Sequence, residues 1–80
     1  MRSETEIRAE LRTFVRRHAG QVAVTDDMPL FTLRVLRSVH LPELIILLER
    51  LRGAPIDVEQ LRMGDFDGID AMMARFGGRP

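Results

Sequence analysis

The sequence predicts an all-α bundle of three main helices plus one short helix, with a long loop between helices 1 and 2. Three observations predict it. Apolar residues recur at helical spacing in three separate segments, and cap or turn residues bound those segments. A chain of 80 residues, 45% of them apolar, also has material for one core and no more. The expectation is a single domain over residues 1–80, with its core at about 4–76 and Gly77-Gly78-Arg79-Pro80 as a frayed tail.

Helix 1 is expected over about Glu4 to His18. Ser3-Glu4-Thr5-Glu6 has the spacing of a capping box, in which hydroxyl and carboxylate satisfy free amides at a helix start. Ile7, Leu11, Phe14 and Val15 then make one apolar stripe. Glu4, Arg8, Arg12 and Arg16 run along another face at i, i+4 intervals, which reads as a solvated row with weak ion pairs. His18 suits the negative helix end, and Gly20 supplies the stop.

From Gln21 to Arg37 no helical period is visible. Thr25, Asp26, Asp27 and Pro29 are turn formers, yet Leu30, Phe31, Leu33, Val35 and Leu36 are too apolar for a free linker. The expectation is a long ordered connection that lies across the bundle and buries some of them. Helix 2 should run from near Ser38 to before Gly53, with Ser38 as N-cap and Pro42 in the first turn, whose amides lack intrahelical partners. Leu41, Leu44, Ile45, Leu48 and Leu51 form its stripe for burial. Val39, Pro42 and Ile46 make a second stripe, either the flank of a deeply buried helix or a docking surface. After Gly53-Ala54-Pro55, the segment Ile56 to Arg62 reads as one short helical turn or two. Asp67 is placed to cap a last helix, with Asp70 in its first turn and Ile69, Met72, Met73 and Phe76 on its apolar face.

Composition narrows the chemistry. There is no cysteine, hence no disulfide, thiolate metal site or thiol catalysis, and all basic residues are arginine, so no lysine amine exists for Schiff-base chemistry. Twelve acids balance twelve bases, which argues against a nucleic-acid binder working through a general basic field. The longest apolar run, Leu44 to Leu48, is far shorter than a membrane span, and no signal-peptide apolar region is visible. The expectation is a cytoplasmic, soluble domain with neither a membrane nor a nucleic-acid partner. His18 and His40 do not stand in a metal-ligand spacing, so no metal is expected. Asp26-Asp27 and Asp65-x-Asp67 fit ordinary turn and cap chemistry, and no nucleophile elbow or phosphate-cradling glycine loop occurs. A bundle of this size also struggles to enclose a pocket of about 300 Å³ or more, so catalysis by the chain itself is not expected.

The stretch Arg37 to Ile56 is the informative one. Ser38 stands at a helix start, followed by Glu43-Leu44-Ile45, then Leu48-Glu49, then Ile56 beyond the helix. Upstream lies Asp27-Met28-Pro29-Leu30-Phe31, and downstream Asp65-Phe66-Asp67-Gly68-Ile69-Asp70. In spacing and order this resembles the acyl carrier protein family, including the peptidyl carrier proteins, over roughly residues 4 to 76. The resemblance implies an acyl-carrier-protein-like bundle that carries cargo instead of transforming it. It further implies that the Ser38 hydroxyl is esterified by 4′-phosphopantetheine from coenzyme A, whose terminal thiol holds an acyl or aminoacyl group as a thioester. The absence of cysteine fits, because the reactive sulfur would belong to the prosthetic group.

Two departures shape the expectation. Arg37 stands where the family has an Asp implicated in Mg²⁺-dependent modification of the serine, and a guanidinium cannot act as a metal ligand. It could instead pair with the phosphate of an attached arm. Arg37, Arg50 and Arg52 also dilute the acidic field typical of such carriers, which points to specialised partners over generic fatty-acid enzymes. The leading expectation is a freestanding, monomeric carrier in polyketide or nonribosomal-peptide biosynthesis. Its partners would be a phosphopantetheinyl transferase and acyl- or aminoacyl-loading and processing enzymes. They would dock on Val39, Pro42, Glu43, Ile46, Glu49 and Arg50. The alternative is a carrier-like domain without the arm, serving as an interaction or regulatory module. A nucleic-acid binder using Arg8, Arg12, Arg16 and Arg17 is a third, disfavoured by the balanced charge and the Glu4–Arg8 spacing.

Overall fold

The apolar stripes of the three helices share one core, with α1 packed against both of the others. The computed structural model describes residues 3–76, and the tail expected at 77–80 lies outside them. Helices α1 (Glu4–Ala19), α2 (Leu41–Arg52) and α3 (Ile69–Phe76) form the bundle, with 3₁₀ turns at Ser38–His40, Val58–Gln60 and Met63–Phe66. No strand occurs among the described residues. Ile7, Leu11, Phe14 and Val15 of α1 meet Leu44, Leu47, Leu48 and Leu51 of α2 and Ile69, Met72, Met73 and Phe76 of α3. The connections add Leu30, Val35, Leu36, Ile56 and Phe66 to the same core.

Helix α1 starts with half of the predicted capping box. Ser3 Oγ accepts from the Glu6 N–H at 3.2 Å, while the Glu6 carboxylate receives the Ser3 hydroxyl. Gly20 ends it with φ 65° and ψ −119°, a conformation open to glycine and strained for other residues.

In the charged row on α1, Glu4 and Arg16 are exposed as expected of a solvated face, whereas Arg8 and Arg12 are bound across the fold. Arg12 grips Asp26 through Nε and Nη2 at 2.7 and 2.6 Å, and Arg8 bridges Asp26, at 2.7 Å, to Asp70. The partners come from the first connection and from α3, far away in the chain, so the i, i+4 pattern within α1 could not reveal them. The same seam is closed by backbone: the Asp70 N–H donates to the Asp26 carbonyl at 2.9 Å. A Cβ on Gly68 would sit 3.2 Å from the Met28 carbonyl oxygen, so glycine lets α3 begin hard against the connection. The hydrogen bonds from Arg12, with those from Arg8 behind them, hold the Asp26 carboxyl down at about 2 against the opposing effect of burial. Arg8, mainly through Asp70, and Arg12, through Asp26, are shifted further above their already high range.

The connection between α1 and α2 is ordered by its own backbone. Leu30 O accepts from Val35 and Leu36 N–H at 2.8 and 3.1 Å, and Arg34 takes a left-handed φ of 60° to make that turn. Leu30, Val35 and Leu36 are buried, whereas Leu33 stays exposed. Asp67 does not cap α3. Its carboxylate accepts from Phe31 N–H at 2.7 Å, Thr32 N–H at 3.2 Å and Thr32 Oγ1 at 2.9 Å, so it pins the connection. The Gly68 carbonyl takes the first α3 bond, from Met72 N–H. Between α2 and α3, the segment Ile56 to Arg62 holds a 3₁₀ turn at Val58–Gln60 started by Asp57, whose Oδ1 accepts from Glu59 N–H at 3.0 Å. Among the described residues no helix is long and apolar enough to cross a membrane.

Candidate functional site

The chain enters α2 through the tight turn Ser38–His40, and α2 proper starts three residues later than the sequence indicates. Arg37 is extended (φ −124°, ψ 167°), and its carbonyl accepts from the His40 N–H at 2.9 Å. The expected cap at Ser38 is absent. Arg37 holds the cap position without a side-chain cap bond, and His40 supplies the reciprocal half of a capping box, its Nδ1 accepting from the Arg37 N–H at 2.9 Å. An accepting Nδ1 places the proton of the neutral ring on Nε2. His40 stacks on His18 with ring centroids 4.2 Å apart, and His18 meets Phe14 edge-on at 4.9 Å. A column of rings thus joins the core to the entrance of α2. His18 stands in the last turn of α1, where the sequence puts it; it is half-buried in this column, and its Nε2 has no hydrogen-bond partner among the described residues.

Because Ser38 is already inside the turn, its hydroxyl is left over. The residue is exposed, and its Oγ forms no hydrogen bond among the described residues. Arg37 beside it is exposed and joins no ion pair among them. The Ser38 and Val39 amides lie ahead of the helical ladder, as the first donors of any helical turn do. Chemically this is an exposed primary alcohol with no base hydrogen-bonded to it among the described residues. Such a hydroxyl is poor as a self-activated nucleophile and accessible as an acceptor for a group delivered by another protein.

The second stripe of α2 faces outward. Val39 is 74% exposed and Ile46 is 61% exposed, and Pro42, Glu43 and Arg50 are exposed with them. Five of the six residues expected to form a docking face therefore share one surface next to Ser38. Glu49 is engaged elsewhere. Half-buried, it accepts the Ile56 N–H on Oε2 at 2.9 Å and secures the chain after the left-handed Gly53 (φ 69°). Nothing local in the sequence marks that bond, which spans the end of the helix.

The structure also adds Glu10, Thr13 and Leu47, which sequence periodicity does not single out. Glu10, Thr13, Phe14 and Arg17 of α1 line a groove of about 290 Å³ together with Glu43, Ile46, Leu47 and Arg50 of α2. Leu47 belongs to neither stripe of α2 drawn from the sequence; its 9% exposure makes it both core and groove floor. Residues 10, 13, 14 and 17 carry an i, i+3, i+4, i+7 pattern, a signal hidden by its mixed chemistry.

No protein-family model matches the chain. Comparison with curated proteins and with solved structures likewise returns no match.

Proposed function

We propose that the chain is a carrier domain, with Ser38 as the attachment point of a 4′-phosphopantetheine arm and the exposed face of α2 as the surface that processing enzymes recognise. The observation that carries this reading is the Ser38 hydroxyl: exposed, without a hydrogen bond among the described residues, and next to exposed Val39 and Ile46. The resemblance of residues 37–56 to acyl and peptidyl carriers supports the same assignment.

The residues present fit such a group. Ser38 Oγ would hold the phosphodiester at a turn whose first amides are free, and Arg37, exposed and in no ion pair among the described residues, could pair with its negative charge. When bound, the arm supplies a thiol that holds an acyl or aminoacyl group as a thioester. The chain itself supplies position and address. The column Phe14, His18 and His40 fixes the entrance of α2, so the tether point has a defined place on the docking face. A short tether then raises the local concentration of cargo at a docked enzyme. The specialised partners expected from the mixed charge would meet Glu43 and Arg50 with opposite charges. The polyketide or nonribosomal-peptide setting is part of the proposal.

Incubation with coenzyme A, Mg²⁺ and a promiscuous phosphopantetheinyl transferase tests it. Intact mass should rise by one arm for the wild type and not for Ser38→Ala. No rise with several transferases, Arg37→Asp included as a variant restoring the acid, would overturn the carrier reading. A single observation favours the second reading, an armless interaction module: the position before Ser38 holds Arg37, which can supply no metal ligand.

A further inference from the structure

We propose that the groove between α1 and α2 is a self-complementary surface that pairs with a second copy of this chain. The helices flanking it run antiparallel: His18, in the last turn of α1, stacks on His40, which directly precedes α2, and the groove covers two turns of each helix. At the end near the histidines, Arg17 of α1 stands across from Glu43 of α2. At the other end Glu10 stands across from Arg50. All four are exposed, and no ion pair among the described residues ties any of them down.

The charges therefore alternate around the four corners of the face: plus and minus at one end, minus and plus at the other. Such a checkerboard has a definite symmetry. A two-fold axis lying in the face along the groove sets Arg17 over the second copy's Glu43 and Glu10 over its Arg50. An axis across the groove sets Arg17 over Glu10 and Glu43 over Arg50. Either way every cation of one copy meets an acid of the other, which is the self-complementarity that an isologous dimer requires. A partner bearing one sign of charge would find two corners repulsive.

The centre of the face supplies the apolar part. Phe14 and Leu47 form a floor that is 5% and 9% exposed, and Ile46 stands at its edge with 61% exposure. Two-fold pairing places Ile46 of each copy against the other's groove, an apolar anchor inside a ring of charges. The inference stands independently of the carrier reading, since it uses no property of Ser38. It replaces the monomer expected from sequence, and it makes Glu43, Ile46 and Arg50 common to both surfaces, so that pairing and enzyme docking would compete.

Sedimentation velocity on the full chain tests it, over concentrations from about 10 μM to about 1 mM, the range in which small polar interfaces associate. The wild type should shift from monomer to dimer. The variant Arg17→Glu/Arg50→Glu has four acids at the corners and should stay monomeric, and so should Glu10→Arg/Glu43→Arg with four bases. Mixed in equal amounts, the two should form a heterodimer under either axis. Ile46→Ala should weaken the wild-type dimer by about tenfold or more. Circular dichroism checks that each variant is folded, and because the corner residues are exposed, a misfolded pair can be replaced by the single change Arg17→Glu or Glu43→Arg, each of which sets like charges together under either axis and should weaken self-association. A wild type that remains monomeric at about 1 mM would overturn the proposal, as would variants that dimerise alone or a mixture that does not associate.

Discussion

Replacing Ser38 by alanine removes a hydroxyl that makes no hydrogen bond among the described residues, so chemical denaturation should find stability unchanged within about 0.5 kcal/mol. A serine acting as N-cap would cost about 1 kcal/mol on the same change. The comparison separates the two roles that sequence alone leaves merged at this position. Serine at a helix start reads as a cap because caps are common there; it does not act as one because the turn begins one residue earlier than that role needs, with Arg37 at the cap position and Ser38 inside the turn. The Arg37 amide is met by His40 Nδ1, an unusual capping-box partner that also stacks against His18 of another helix. Glu49 shows the same limit. Its position on α2 is legible, but its bond to Ile56 depends on how the chain turns at Gly53.

At the level of elements, the stripes of α1 and α2 and the apolar face of α3 are legible because burial follows helical period. The three helices come within a few residues of their expected bounds for that reason. What the period cannot show is where polar side chains go. Asp67 precedes a helix and fits a cap rule, yet its carboxylate takes three bonds from Phe31 and Thr32, and these hold the connection that leads toward Ser38. Asp67→Ala should therefore destabilise the protein by about 1–3 kcal/mol, with hydrogen exchange accelerating first at Phe31 and Thr32 and not in α3. A cap at that position would give the reverse order. The surplus stripe Val39, Pro42 and Ile46 is legible as surplus; that it faces outward is a property of the assembled bundle.

Across the whole molecule, Arg8, Arg12, Asp26 and Asp70 join the first helix, the first connection and the last helix, and this gives the fold an acid limb. The Asp26 carboxyl is lower in the folded chain, about 2, than the ordinary 3.8. A depressed carboxylate contributes stability that is complete above about pH 4 and is lost as the pH falls toward 2. Asp26 is 23% exposed along its side chain, so after solvent screening the contribution should be about 1 kcal/mol. In Asp26→Asn, midpoints of urea unfolding measured between pH 5 and 2 should fall less steeply than in the wild type.

That seam has a practical consequence. Gln21, Val22 and Ala23 are exposed, while the turns on either side are held by contacts that do not pass through the peptide bonds between them. A peptide ending at Val22 carries all of α1 with Arg8 and Arg12, and the complementary peptide carries Asp26 and Asp70, which receive them. Synthesised apart and mixed, the two pieces should reassemble into a helical whole through the shared core, detected as a gain in ellipticity over the sum of the parts, and substituting Arg12 with alanine in the shorter piece should weaken their association several-fold.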